Sequence, residues 1–170
     1  MIVDIHDKVQ ELVSEYQTDD PQELAESLGL IIRFSNLGNL KGLYLLTQGF
    51  RYIIVNSNIS KSMKQLVIAH EMGHDQLHRE LAALGQLNAF SLYDMSSRPE
   101  MEANTFAANL LITDNALLSA AEETEYTTAG LARLLCVPHQ LLLIKMRDMN
   151  KRGYEFNLDY IPQGSFLADI

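Results

Sequence analysis

The residues best suited to chemistry are His70, Glu71 and His74, which fall in the run His70-Glu71-Met72-Gly73-His74, an H-E-x-x-H pattern. An α-helix advances about 100° per residue, so the two histidines differ by roughly 40° and stand one above the other. Imidazoles stacked one turn apart can both reach a single Zn2+ ion at about 2.0–2.1 Å. Glu71 lies at the flank of the pair, too close to His70 to share its ligand direction, and can instead contact a water on the metal. Two histidine ligands with a glutamate general base is the arrangement of a metalloprotease.

The surrounding residues must form a helix for this to hold. Leu66, Val67, Ile68 and Ala69 precede the motif and are apolar on all sides, as in a helix buried at a domain centre. Two histidines and a glutamate there would be costly without partners, and one metal ion would satisfy all three. The plainer alternative is a pair of core histidines held by neighbouring side chains. Gly73 costs roughly 1 kcal/mol of helix propensity against alanine, which predicts that a strand or a bound substrate comes close to it. His78, one turn after His74, is too far along the axis for the same ion and reads as a group behind the ligands.

A third protein ligand is needed, and a carboxylate from a following helix is a common solution. Pro99 opens such a helix, with Ala103, Phe106, Ala107, Leu110 and Leu111 as its apolar stripe. Glu100 and Glu102 are the candidates, and Glu100 is preferred because Asn104 lies one turn later on the same face. There Asn104 can accept a hydrogen bond from a ligand histidine and fix its tautomer. Glu102 points some 200° away, toward solvent. Both glutamates could also simply complement the helix dipole. A tetrahedral oxyanion would need a donor, for which Tyr93 and His78 are candidates.

The rest of the chain reads as α+β: a small three-stranded, mainly antiparallel sheet packed on the H-E-x-x-H helix, with a helical C-terminal part. Residues 4–17 have helical apolar spacing. Asp20, Pro21 and Glu23 mark the start of a short helix that stops at Gly29. Residues 30–34, 43–46 and 52–55 are strand-like, the last two joined as a hairpin through Gln48-Gly49. Asp114 is expected to cap a further helix. Residues 128–138 and 139–149 form two helices joined by a tight turn, as in a helix-turn-helix, but Leu141 to Ile144 and Met146 make the second apolar on most faces. It is expected to dock on the rest of the protein rather than to present Lys145 and Arg147 to DNA. Cys136, in the turn, is expected to be a buried small hydrophobe. The division expected is a metallopeptidase domain over 1–125, the helical pair over 126–152 and a tail over 153–170.

Composition limits the alternatives. At 170 residues, 47% hydrophobic and 21% charged, the chain suits one ordinary globular domain with a small appended unit. No run approaches the ~20 apolar residues of a membrane span, and no signal peptide is visible. The single cysteine allows no internal disulfide and no Cys-based zinc site, and predicts a reducing, cytoplasmic location. The net charge of −9 argues against broad nucleic-acid binding. Residues 1–30 carry eight acids and one base, whereas residues 128–152 carry five bases and one acid.

The chain resembles the ImmA/IrrE family of zinc metallopeptidases. The resemblance rests on Val55-Asn56, on Ile68 to His74 with the trailing His78, and on Glu100-x-Glu102-Ala103-Asn104-x-Phe106-Ala107-Ala108-x-Leu110-Leu111, and covers about residues 20–150. Ile112-Thr113 departs from the proline that the family often has after the Leu-Leu pair. The resemblance implies His70, His74 and Glu100 as ligands of one Zn2+ ion and Glu71 as general base. It further implies a protein substrate: a DNA-bound repressor of a prophage or mobile element, cut by an anti-repressor protease. The substrate would pair with an exposed edge strand, residues 43–47. A different class of function is a regulator that binds DNA or a partner, with a structural or sensory zinc site; a third is an interaction module that binds no metal.

Overall fold

The structure is a computed structural model and describes residues 4–83, 97–122 and 127–158. The elements run in chain order as α1 (Ile5–Tyr16), α2 (Pro21–Ser27), β1 (Ile31–Ser35), β2 (Gly42–Thr47), β3 (Phe50–Asn56), α3 (Lys61–Leu77), α4 (Arg79–Ala83), α5 (Arg98–Leu111), α6 (Asp114–Glu122), α7 (Thr128–Leu134) and α8 (His139–Lys151). This is the expected α+β architecture with one small sheet.

Local chemistry sets most boundaries. Asp4, Asp20, Ser60, Ser97 and Thr127 accept backbone N–H bonds at the starts of α1, α2, α3, α5 and α7, each satisfying a donor the helix leaves open. Gly29 ends the second helix region at φ +79°, a conformation that favours glycine. Gln48 and Gly49 both have positive φ, the turn that matches the twist of a two-residue hairpin. The helix after Ile112 starts differently from expectation. Thr113 Oγ1 accepts from the Ala116 N–H, so threonine is the cap and Asp114 is free to pair elsewhere.

The sheet order is β1-β3-β2, and it is mixed rather than mainly antiparallel. β2 pairs antiparallel with β3 through Tyr44↔Ile53 and Leu46↔Arg51, while β1 pairs parallel with β3 through Ile32↔Ile53 and Phe34↔Val55. The loop after β1 carries the chain past the end of β3, and β3 then returns between the two. Asn56 pins that loop: its Nδ2 donates to Gly38 O at 2.9 Å and Leu40 O at 2.7 Å. Among the described residues, β2 is therefore an edge strand of the sheet.

α3 lies at the centre, and every residue from Leu66 to Asp75 is buried. It packs on the inner face of β2 and β3 and most extensively on α5. α8 joins the same hydrophobic core through Leu141, Leu142, Leu143, Ile144, Met146 and Met149. The α7–α8 pair is bent by 108°, a helix-turn-helix angle. However, Lys145 is fully buried and paired to Asp114 at 2.6 Å, so it cannot reach a DNA groove. Cys136 is exposed, at φ +55°: the left-handed turn rotates it outward, contrary to the expected burial. No single helix among the described residues is long and apolar enough to cross a membrane.

Candidate metal centre

His70 and His74 lie one turn apart on α3, as their spacing predicts, and Glu100 reaches them from the first turn of α5. Their ligating atoms converge: His70 Nε2 to His74 Nε2 is 3.2 Å, His70 Nε2 to Glu100 Oε2 is 3.3 Å, and His74 Nε2 to Glu100 Oε1 is 3.2 Å. Ligands on ~2.0–2.1 Å arms of a tetrahedron are about 3.3–3.4 Å apart, so the triangle has the size of one face of a zinc coordination shell. All three residues are buried.

The hydrogen bonds behind the triangle decide what those atoms present. His70 Nδ1 donates to Asn104 Oδ1 at 2.8 Å, leaving the Nε2 lone pair facing the centre. His74 Nδ1 donates to His78 Nδ1 at 3.2 Å, and His78 Nε2 donates to Glu102 Oε2 at 2.9 Å. One consistent set of tautomers thus directs two imidazole lone pairs and a carboxylate at a common point. That arrangement is repulsive unless a cation occupies it. Neither Glu71 oxygen, nor Glu100 Oε2, has a hydrogen-bond partner among the described residues, and buried carboxylate oxygens without partners are costly. The residues present fit a bound metal ion and its water.

The electrostatics agree. Burial works against Glu100 as an anion, but its contacts with His70 and His74 outweigh that and hold it down at about 2. Burial lowers His74 to about 4, keeping it neutral. His70 is lowered by burial too, but Glu100 and Glu71 more than offset this and its net shift is upward. Metal ligands must be deprotonated, and a cation in the triangle would take the place of the proton that His70 otherwise attracts. Burial pushes Glu71 up to about 7, with His70 opposing and Glu100 reinforcing. The Tyr44 backbone N–H faces Glu71 without meeting hydrogen-bonding geometry and offsets little of the rise. A carboxyl tuned near neutrality is suited to take and return a proton.

Residues 25–147 match the model of the IrrE N-terminal-like domain, a peptidase family. The chain belongs to that family. Two relatives place it further. It is 34% identical over 138 residues, covering 81% of this chain and 85% of the relative, to a protein of Bacillus phage phi105 described as uncharacterized immunity region protein 2. It is 28% identical over 116 residues, 68% of each chain, to metallopeptidase ImmA of Bacillus subtilis strain 168.

In this IrrE-like chain, the structure brings together His70, Glu71, His74, Glu100, Asn104 and His78 from the sequence reading. His78 does not continue the helix. It is the C-cap of α3, and both its ring nitrogens are committed, which removes it as an oxyanion donor. Tyr93 lies outside the described residues, as does all but the end of residues 85–98, expected as a loop near the site mouth; of these, Ser97 and Arg98 cap and open α5. Glu102 departs from expectation: its carboxylate turns back to His78 and also accepts from Arg98 at 2.7 Å. Gly73 faces neither strand nor substrate but α5. A further residue, Gly42, opens β2 where a Cβ would come 2.3 Å from Val67 Cγ1 and 3.6 Å from Glu71 Oε1. The edge strand therefore passes directly over Glu71, and only glycine allows that approach. A lone glycine ahead of an apolar strand was the only sequence signal for it.

Proposed function

We propose that this metallopeptidase of the immunity-region type is a zinc-dependent endopeptidase whose substrate is a DNA-binding repressor of a prophage or mobile element. The observation that carries the reading is the convergence of His70, His74 and Glu100 beside the buried carboxylate of Glu71, which has no hydrogen-bond partner among the described residues. His70, His74 and Glu100 would hold the ion. The chemistry zinc supplies when bound is Lewis-acid polarisation of the scissile carbonyl and of the attacking water.

The chain's own residues do the rest. Glu71 accepts a proton from the water and delivers it to the leaving amine. Asn104 holds His70, and the His78–Glu102 pair holds His74, each by the nitrogen turned away from the centre. β2 offers its outer edge to an extended substrate segment. The name of the phage immunity-region protein supports a substrate within the immunity system, that of ImmA supports a metallopeptidase, and a repressor is the protein whose loss would switch such a region.

The test is metal analysis together with incubation of the zinc-loaded chain with a purified prophage repressor, comparing wild type with Glu71→Gln. The reading expects one zinc per chain in both and cleavage by wild type alone. A Glu71→Gln protein that binds zinc and still relieves repression would instead support the regulator reading.

A further inference from the structure

Asp75 follows His74 immediately, its side chain is fully buried, and nothing in the proposed chemistry uses it. Four donors converge on its carboxylate. Tyr44 Oη donates to Oδ1 at 2.8 Å; Arg51 Nη1 at 2.9 Å, Gln76 Nε2 at 2.7 Å and Arg79 Nη2 at 2.9 Å donate to Oδ2. The other terminal nitrogen of Arg51 donates to the Leu28 carbonyl at the end of α2. One carboxylate on α3 thus gathers β2, β3 and α4, and through Arg51 the end of α2.

The position of Tyr44 gives this hub its consequence. Gly42 and Tyr44 point to the same face of β2, and Glu71 and Asp75 to neighbouring turns of α3. Two residues along a strand advance about 6.6 Å, and four along a helix about 6 Å. The two spacings match, so the Tyr44–Asp75 bond places Gly42 over Glu71. Among the described residues β2 ladders with β3 alone, and beneath Gly42 it meets the apolar Val67 side chain and the Glu71 carboxylate, to which no described residue supplies a hydrogen bond. Apolar contact resists separation but is non-directional and allows sliding. A directed bond to a buried carboxylate does not.

We propose that Asp75 is a positioning residue: through Tyr44 and Arg51 it sets the register of the edge strand β2 along the metal-bearing helix. It thereby aligns the substrate-pairing edge with Glu71. The part concerning substrate rests on the peptidase reading above; the part concerning register does not.

Tyr44→Phe removes one hydroxyl and leaves Asp75 its three other donors, so the fold is kept. Amide hydrogen exchange of the zinc-loaded chain is expected to speed up about tenfold across Gly42–Thr47, with Ile53, Val55 and the α3 amides unchanged and zinc content unaltered. Asp75→Asn is expected to give the same pattern more strongly. Exchange that is unaltered in β2, or raised evenly over the sheet and α3, overturns the proposal, because the hub would then be a general stabiliser. A second readout uses a quenched fluorogenic mixed-peptide library. If wild type cleaves it, Tyr44→Phe is expected to lose about tenfold in kcat/KM, chiefly through KM. Unchanged cleavage beside a loosened β2 also overturns the proposal. If wild type cleaves nothing, the peptidase reading is what fails, and the exchange pattern still decides the register.

Discussion

Gly73 of α3 packs on the backbone of Ala103 in α5: a Cβ at Gly73 would lie 3.0 Å from Ala103 Cα and 3.1 Å from its carbonyl oxygen. This contact lets the two helices approach closely enough for Glu100, one turn before Ala103, to meet the two histidines. The glycine inside the motif thus sacrifices helix propensity for helix–helix distance.

Gly73→Ala should separate α3 from α5. The backbone of Ala103 and the Phe106 Cβ at 3.1 Å can yield only by moving α5. Overpacking of this kind costs about 1–3 kcal/mol, and thermal unfolding should record that loss. Zinc affinity should fall with it, since Glu100 moves with α5; unaltered zinc affinity would show that the crossing does not control the triangle.

Glu71→Gln should keep zinc and lower peptide cleavage by about 10²–10⁴-fold, the usual worth of a general base. It should also change the chelator-treated protein. Folding raises the Glu71 pKa from 4.5 to about 7, so the folded chain holds that proton more tightly than the unfolded chain. Stability therefore falls as pH rises through this window, by about 3 kcal/mol in all. Denaturant titrations of metal-free protein at pH 5 and pH 8 should show the decline in wild type and a smaller one in Glu71→Gln, where the raised pKa of His70 still contributes.

Glu102→Gln should weaken zinc binding by about 10–100-fold without removing a ligand, the typical effect of disturbing a group behind a ligand histidine. The amide can still accept from His78 but no longer supports it with charge. Competition against a chelator of known affinity measures the change. Glu100→Gln should be more severe, because it removes the anionic ligand.

Asp114 should matter most away from the metal. Burial raises its pKa, but Arg152 and Lys145 together outweigh this and hold it well below 3.8. A depressed carboxyl stabilises the fold above its unfolded pKa, and the benefit disappears as pH falls through the folded value. Asp114→Asn leaves Lys145 buried without its anion, which costs about 3 kcal/mol or more near neutrality. The gap between wild type and variant should close as pH is lowered below about 4, as followed by circular dichroism during acid unfolding.

The sequence by itself determined the parts governed by helical phase and local hydrogen bonding. His70 and His74 share a face because of the helix repeat. Glu100 and Asn104 share one for the same reason, and Asp20, Ser60 and Gly29 mark helix ends by their own chemistry. Tertiary structure alone decided which elements meet. Glu102 lies 200° from Glu100 by phase, yet the crossing of α3 over α5 brings His78 within its reach. Lys145 looked like a surface cation until α8 packed against α5 and α6 placed Asp114 beside it. Cys136 belongs to an apolar stretch but is turned outward by a left-handed residue conformation. The parallel pairing of β1, the contact of Gly73 with Ala103 and the gathering of Tyr44 and Arg51 on Asp75 join residues far apart in the chain. Periodicity specifies the direction of a side chain about its own axis, whereas its neighbour depends on the distance and angle at which another element arrives.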